Sequence, residues 1–391
     1  MMSEFAMGRR TGKNVYGTMR ELAPHSKWSY FSIITILSVS TILTCYSTVA
    51  GWTLEYIRLS AIGIFNGKSS EEVINIFNTF TSDSIAPVLC QIVFLVLTGA
   101  IVIAGIKNGI ERYTKLMMPV LVLIIVFMCV RSLTLNEKSI DGLVFLFKPD
   151  FSNITSKALL AAVGQAFFSL SVGIGCLMTY ASYIRKGEKL QGMTAKVVLS
   201  DTVIAILAGV AILPATFAFG VNPTAGPGLA YLTLPQVFAQ MPAGSLWGTL
   251  FFILLTVAAL TSSISMLEVI VAYITQELNI SRVKSVVLSI SVIGIFGVLC
   301  TLSYGPLKDV MIFGRSIFDL LNFLSSDIMM PVGGIFICIF IGYVMDKKVL
   351  HDELSNQNSI RTYGFKTYIF LMRYIVPVGV TFVLLNSMGI F

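Results

Sequence analysis

The sequence predicts an all-α, polytopic membrane protein of about nine transmembrane helices sharing one bundle. Three observations predict it. Of 391 residues, 55% are hydrophobic and 12% charged, about half the charge of an ordinary soluble domain. Mean hydropathy is +0.84, which excludes a soluble enzyme and a disordered chain alike. Nine apolar stretches of about 20 residues follow one another, each able to cross a hydrocarbon core about 30 Å thick.

Taken in order, residues 1–28 are basic and amphipathic and do not read as a cleavable signal. The expected spans are 29–57, 86–106, 114–134, 157–184, 193–217, 245–275, 283–303, 317–345 and 366–388. Of the 27 Lys and Arg residues, 19 fall on one side, before the first span and around 107–115, 185–196, 282–284 and 347–373. The positive-inside rule then places the N-terminus in the cytoplasm and the C-terminus outside, in the cell membrane. The net charge of +7 is this asymmetry, and not a footprint for nucleic acid. Loop 218–243 carries four prolines and no charge, which predicts a structured connection. The sequon Asn153-Ile154-Thr155 falls in an outside loop, but an equal match at Asn279-Ile280-Ser281 falls inside, so the pattern decides nothing.

Polarity inside the spans marks candidate sites, because an ionisable group at membrane depth costs about 2.5–3.5 kcal/mol. Asp201 lies one turn into the fifth span and Glu268 deep in the sixth. Neither has a basic neighbour in sequence, so each requires a bound cation, a shared proton or a distant partner. Glu55, Asp319 and Asp327 lie near span ends, where water can solvate them. The fourth span places Ser169, Ser171, Gly173 and Gly175 within seven residues. Serine and glycine alternating at mid-membrane make a poor continuous helix. A break there frees carbonyls that must line a cavity or bind something, and a groove of small packing residues is the alternative. The sixth span adds Thr261, Ser262 and Ser263, hard oxygen donors that suit an alkali cation unless they only bond back to their own helix. The six cysteines lie in apolar helices without metal-ligand spacing and read as packing residues. Metalloprotease, nucleophile-elbow and phosphate-loop signatures are absent, so the chain does not read as an enzyme.

The runs MSEFAMGRRTGKN, YSTVAGWTLEY, GQAFFSLSVGIG with YASYIRK, LAYLTLPQVFAQMP, LTSSISMLEV and LMRYIVP occur in this order. In these the chain resembles the neurotransmitter:sodium symporter family, specifically the prokaryotic LeuT-type amino-acid transporters, along its whole length. The resemblance implies a LeuT-type inverted-repeat fold with an N-terminal truncation. Residues 1–28 would be the cytoplasmic end of a shortened second family helix plus a basic loop. Residues 29–134 would be three helices of the first repeat, 157–345 the five of the second, and 366–388 an extra C-terminal helix, all forming the single domain 1–391.

Residue by residue, the resemblance assigns Tyr46 to the substrate carboxylate and Phe168 to an aromatic gate, with Gln165 above it. Ser171, Gly173 and Gly175 would form the unwound strip receiving the substrate amine. Ile42, Ile174, Ser262 and Met266 would line an uncharged side-chain pocket, which favours a neutral, apolar amino acid. Ser169, with Ser200 and Asp201, falls at the first of two Na+ sites, and Ala258 (through its carbonyl), Thr261 and Ser262 at the second. Asp201 would supply the fixed negative charge that chloride supplies in animal relatives. The family's outer acidic gate position reads Asn322 and its inner one Gln276, next to Glu277. With the first family helix missing, both Na+ sites and both gates would be incomplete. Asp201 and the glycine strip would also be exposed to lipid.

The reading is therefore a sodium-coupled symporter of neutral amino acids, impaired as this chain, with a homodimer allowed. A non-transporting membrane scaffold or binding protein on the same fold is the alternative. Sodium-dependent ligand binding separates the two.

Overall fold

The computed structural model of the protein describes residues 1–151, 154–221, 229–356 and 364–390. Among these, eight helices are long and apolar enough to cross a membrane. They are α3 (Trp28–Ala61), α5 (Ala86–Ile103), α6 (Ile106–Leu133), α10 (Leu190–Ala218), α12 (Gly244–Glu277), α13 (Arg282–Leu302), α14 (Ile317–Val344) and α16 (Phe365–Ser387). The shorter helices are α1 (Met2–Thr11), α2 (Val15–Leu22), α4 (Ser70–Ser82), α7 (Ser139–Phe147), α8 (Ser156–Ser169), α9 (Cys176–Ala181), α11 (Leu234–Gln240) and α15 (Lys347–Leu354). Of the nine expected spans, eight are single long helices, and the fourth, expected with a break, is the exception. The stretch expected at 157–184 is divided into α8 and α9 by a non-helical turn at 170–175.

Local chemistry sets the boundaries. Pro87 opens α5 and Pro235 opens α11 at the first helical turn, where no amide hydrogen is needed. Gly105, at φ 85°, turns the chain between α5 and α6. Ser69 and Glu72 form a reciprocal capping box at the start of α4. Residues 15–22, expected as part of a basic loop, form α2. Asn14 caps it by accepting from the Gly17 amide at 3.0 Å. In loop 218–243, residues 229–240 are helical; positions 222–228 lie outside the described residues, as does Asn153 of the outside sequon.

The core sits on α3 and α12, whose apolar windows are 61% and 56% buried, against 11% for α10 and α16. These last two are therefore the bundle's periphery. Helices α3, α5, α12 and α13 all pack against one another. A wholly buried polar network ties three of them. Gln91 on α5 donates from Nε2 to Ser47 Oγ on α3 at 3.0 Å and accepts from Thr301 on α13 at 2.8 Å. The Thr301 and Thr48 hydroxyls share a bond of 3.0 Å. Without water, the alternative for each group is an unsatisfied dipole in hydrocarbon, so the network fixes helix register as well as adding about 0.6 kcal/mol per bond.

Helix α1 is not a solvated basic segment: Ser3 to Arg9 are buried, packed on α9, α2, α10 and α15. Arg9, one of the cations before the first span, is 4% exposed. It donates from Nε to Glu353 Oε2 at 2.8 Å, and from its terminal amino groups to the carbonyls of Glu188 and Glu353, each at 2.6 Å. One guanidinium thus joins α1, the loop after α9, and α15. Its planar fork directs donors from three separate nitrogens at acceptors on three elements, a spread that the single nitrogen of lysine does not span.

Candidate functional site

The interruption between α8 and α9 organises the candidate residues. Helix α8 closes with the Leu170 amide on Ala166 O at 3.1 Å, Ser171 on Phe168 O at 3.0 Å and Val172 on Phe167 O at 3.1 Å. The chain then leaves helical geometry, with φ of 52° at Ser171, 88° at Gly173 and 78° at Gly175. Positive φ is cheap only for glycine, so two glycines supply most of the turn and Ser171 carries the remaining strain. A Cβ on Gly173 would stand 2.7 Å from Met330 O and 2.9 Å from Gly334 N. The turn is thus pressed against α14 backbone to backbone. Helix α9 resumes with the Thr179 amide on Gly175 O at 2.9 Å.

The glycine strip departs from the expected lipid exposure, and Asp201 does so only in part. Gly173, Ile174 and Gly175 are buried and Asp201 is half-buried. Glu4 of α1 is wholly buried, and its Oε1 accepts from the Gly173 amide at 3.4 Å. Sequence reasoning passed over Glu4 because it precedes the first apolar span. The available signal was a carboxylate followed directly by the apolar run Phe5-Ala6-Met7. Asp201 finds the hydroxyl of Ser169, which donates to Oδ1 at 2.7 Å. These two residues, 32 positions apart, are brought together across α8 and α10. Ser200 is exposed beside them, as are Phe168 and Gln165 on α8.

A second group forms between α3 and α12. Tyr46 is half-buried and its hydroxyl meets that of Ser262. Thr261 donates to Ala258 O at 2.7 Å, so those two oxygens are adjacent. Ser265 links the group to α9, bonding Thr261 O at 3.0 Å and the Tyr180 hydroxyl at 3.0 Å. Ser263 points away, sharing 2.9 Å with Thr98 on α5. Ile42, Ile174 and Met266 are buried in one apolar cluster, with Tyr46 packed against it.

Glu268 is wholly buried and needs no bound cation. Arg282, on the far side of the α12–α13 turn, approaches it with Nη1 at 3.1 Å from Oε1 and Nη2 at 2.5 Å from Oε2. Tyr183 donates to Oε1 at 2.9 Å, and Arg282 Nε caps Val102 O at 2.9 Å. The distant-partner alternative holds here. At the same end, Gln276 Oε1 accepts from both the amide and side chain of Asn14, at 2.8 and 2.9 Å. Glu277 pairs with Arg20 at 3.1 Å. The Gln276–Glu277 corner, expected to lack partners, is thus closed by α2 and its cap. Asn322, on α14, is exposed and takes a 3.4 Å bond from Ser326. Glu55 pairs with Arg58 at 2.5 Å near the end of α3, and Asp319 accepts from Ser316 at 2.7 Å.

The donors around Thr261 and around Asp201 are carbonyl, hydroxyl and carboxylate oxygens only. Such sets fit a hard monovalent or alkaline-earth cation and not a thiolate-seeking transition metal.

Residues 70–391 match the family described as SNF, the Sodium:neurotransmitter symporter family. The chain is 37% identical over 390 residues to the Uncharacterized sodium-dependent transporter YhdH of Bacillus subtilis (strain 168), spanning 100% of this chain and 86% of the relative. It is 33% identical over 368 residues to an Uncharacterized sodium-dependent transporter of Haemophilus influenzae, covering 92% of this chain and 79% of the relative. Among solved structures, MhsT in complex with L-phenylalanine superimposes with a TM-score of 0.89 at 36% identity, covering 99% of this chain and 87% of that one.

Proposed function

The chain belongs to the sodium:neurotransmitter symporter family, and from that premise we propose that it is an integral, multi-pass membrane symporter coupling Na+ entry to uptake of a neutral, apolar amino acid. The observation that carries this reading is the turn at 170–175 between α8 and α9, with its backbone held out of helical geometry between Glu4, α14 and the Ile42–Met266 cluster.

In this reading Tyr46 holds the substrate carboxylate, and carbonyls of Ser171, Gly173 and Gly175 receive its amine. Ile42, Ile174, Ser262 and Met266 surround the side chain, with Phe168 and Gln165 on the gate side. The lining carries no charge, so a charged substrate side chain would be buried unpaired. Ser169, Ser200 and Asp201 contribute to one Na+ site, and the Ala258 carbonyl, Thr261 and Ser262 to the other. Asp201 is already an acceptor of the Ser169 hydroxyl, and its fixed negative charge makes transport independent of chloride. Gln276 and Asn322 stand at the inner and outer gates. The positive-inside asymmetry puts the Gln276 end in the cytoplasm. Alternating access then moves α8, α9 and α10 against the mutually packed α3, α5, α12 and α13.

The test is equilibrium binding of radiolabelled L-phenylalanine and L-leucine to the purified protein, in sodium and then in potassium. Binding in sodium alone, competed by apolar but not by charged amino acids and abolished by Tyr46→Phe, is expected. Binding indifferent to the cation overturns sodium coupling, and no binding in either salt favours the non-transporting scaffold. Uptake into proteoliposomes then separates a working symporter from the impaired one expected from the sequence.

A further inference from the structure

The last turn of α14 and the first three turns of α16 lie side by side, and with the start of α15 they gather cations. Lys347 donates from Nζ to the carbonyls of Ile341, Gly342 and Met345 at 3.0, 2.8 and 3.1 Å. Arg373 donates from Nε to the same Gly342 carbonyl at 2.6 Å, and its guanidinium lies 5.4 Å from the Tyr343 ring centroid. Burial, and then the neighbouring Arg373, push the Lys347 ammonium below its usual range, while Asp346 works the other way. The Asp346 carboxylate is engaged as a cap on the Lys348 amide at 2.8 Å. Among the described residues, no carboxylate lies within ion-pair distance of Lys347, Lys366 or Arg373. The terminal amino groups of Arg373 likewise have no hydrogen-bond acceptor there.

These three cations, with the rings of Phe365, Phe370 and Tyr374, line an open hollow of about 320 Å³, a size within the usual range of small-molecule sites. Lys366, Phe370 and Arg373 follow at spacings of four and three residues, one face of α16. Phe370 and Tyr374 are 53% and 51% exposed, so this face is the bundle's outside. From Tyr374 to Ile390 no residue is charged, a run of roughly 25 Å at 1.5 Å per residue. Arg373 therefore stands where hydrocarbon gives way to head groups.

We propose that this hollow binds an anionic phospholipid. Its phosphodiester meets the Arg373 guanidinium and the Lys366 ammonium, and its acyl chains lie along Phe370 and Tyr374. Unneutralised cations call for an anion, and the guanidinium fork suits a phosphate. The exposed rings on the same face select a lipid over free phosphate, which has no apolar part to cover them.

The test uses the full chain in detergent. Native mass spectrometry counts retained phosphatidylglycerol against phosphatidylcholine of the same acyl length. Preference for phosphatidylglycerol is expected to fall about fivefold in Lys366→Gln and again in Lys366→Gln/Arg373→Gln, with inorganic phosphate failing to displace the lipid. Equal retention of the two lipids overturns the proposal, as does an unchanged preference in the variants. Displacement by inorganic phosphate also overturns it, assigning the hollow to a free anion. Lys366 is exposed and has no side-chain bond among the described residues, so the single variant decides the matter even if the double variant fails to fold.

Discussion

The guanidinium of Arg282 reaches back across a turn to the Glu268 carboxylate, which water does not touch. Neutralising one partner leaves the other buried and unpaired, which costs about 3–5 kcal/mol. Arg282→Gln is therefore expected to lower the thermal midpoint in detergent by far more than the Glu268→Gln/Arg282→Gln pair does; equal losses would show that the charges are not coupled. Sequence reading identified Glu268 as needing a partner and could not name it. Arg282 is 14 positions away, beyond any helical spacing, and only the α12–α13 turn brings it back. Asp201 was legible as an unusual charge for the same reason, while its Ser169 contact depends on α8 lying across α10. Glu4 escaped notice because a carboxylate in a short helix looks solvated until its packing against α9 and α14 is known.

At the scale of the element, the break between α8 and α9 was readable because serine and glycine write backbone preference directly into the sequence. The helix at Val15–Leu22 was not, since eight residues are too few for periodicity to stand out from the basic segment around them; its Asn14 cap was a further local signal. Helix α4, outside the spans, shows how much a cap can do. Glu72 accepts from Lys68 at 2.6 Å and from the Ser69 amide at 2.9 Å. The Lys68 ammonium, then the Ser69 amide, hold its carboxyl at about 2, below the ordinary range. A depressed carboxylate stabilises above its unfolded value and loses that contribution as pH falls through the folded one. Amide protection in α4, corrected for intrinsic exchange, is thus expected to be constant down to about pH 5 and to fall between there and pH 2. Ser69→Ala removes the reciprocal half of the box and is expected to reduce protection about fivefold at neutral pH, while α5 keeps its own. Protection that is flat with pH would assign the capping no weight.

For the whole molecule, hydropathy sufficed to find the long apolar helices, because it is a sum over many residues. What such sums could not supply was the interior arrangement: four mutually packed helices, three of them tied by Gln91, and a distal clasp made by Arg9. Composition counts Arg9 as one more surface charge. Only the approach of α1, α15 and the loop after α9 turns it into a buried crosslink. Arg9→Gln is expected to raise hydrogen exchange in α1 and α15 together, leaving α3, α5, α12 and α13 protected. A uniform rise over all six would mean that the clasp belongs to the same cooperative unit as the central four.

The clasp also has a consequence in time. Arg9 and Glu353 are separated by 344 residues, and a ribosome adding about 5–20 residues per second needs roughly 20–70 s to cover that distance. Throughout that interval α1 has been synthesised but lacks the carboxylate that locks it. Helix α1, made before the eight long helices, is thus among the last to be secured, and a nascent chain halted short of α15 leaves it loose for proteolytic surveillance to grip.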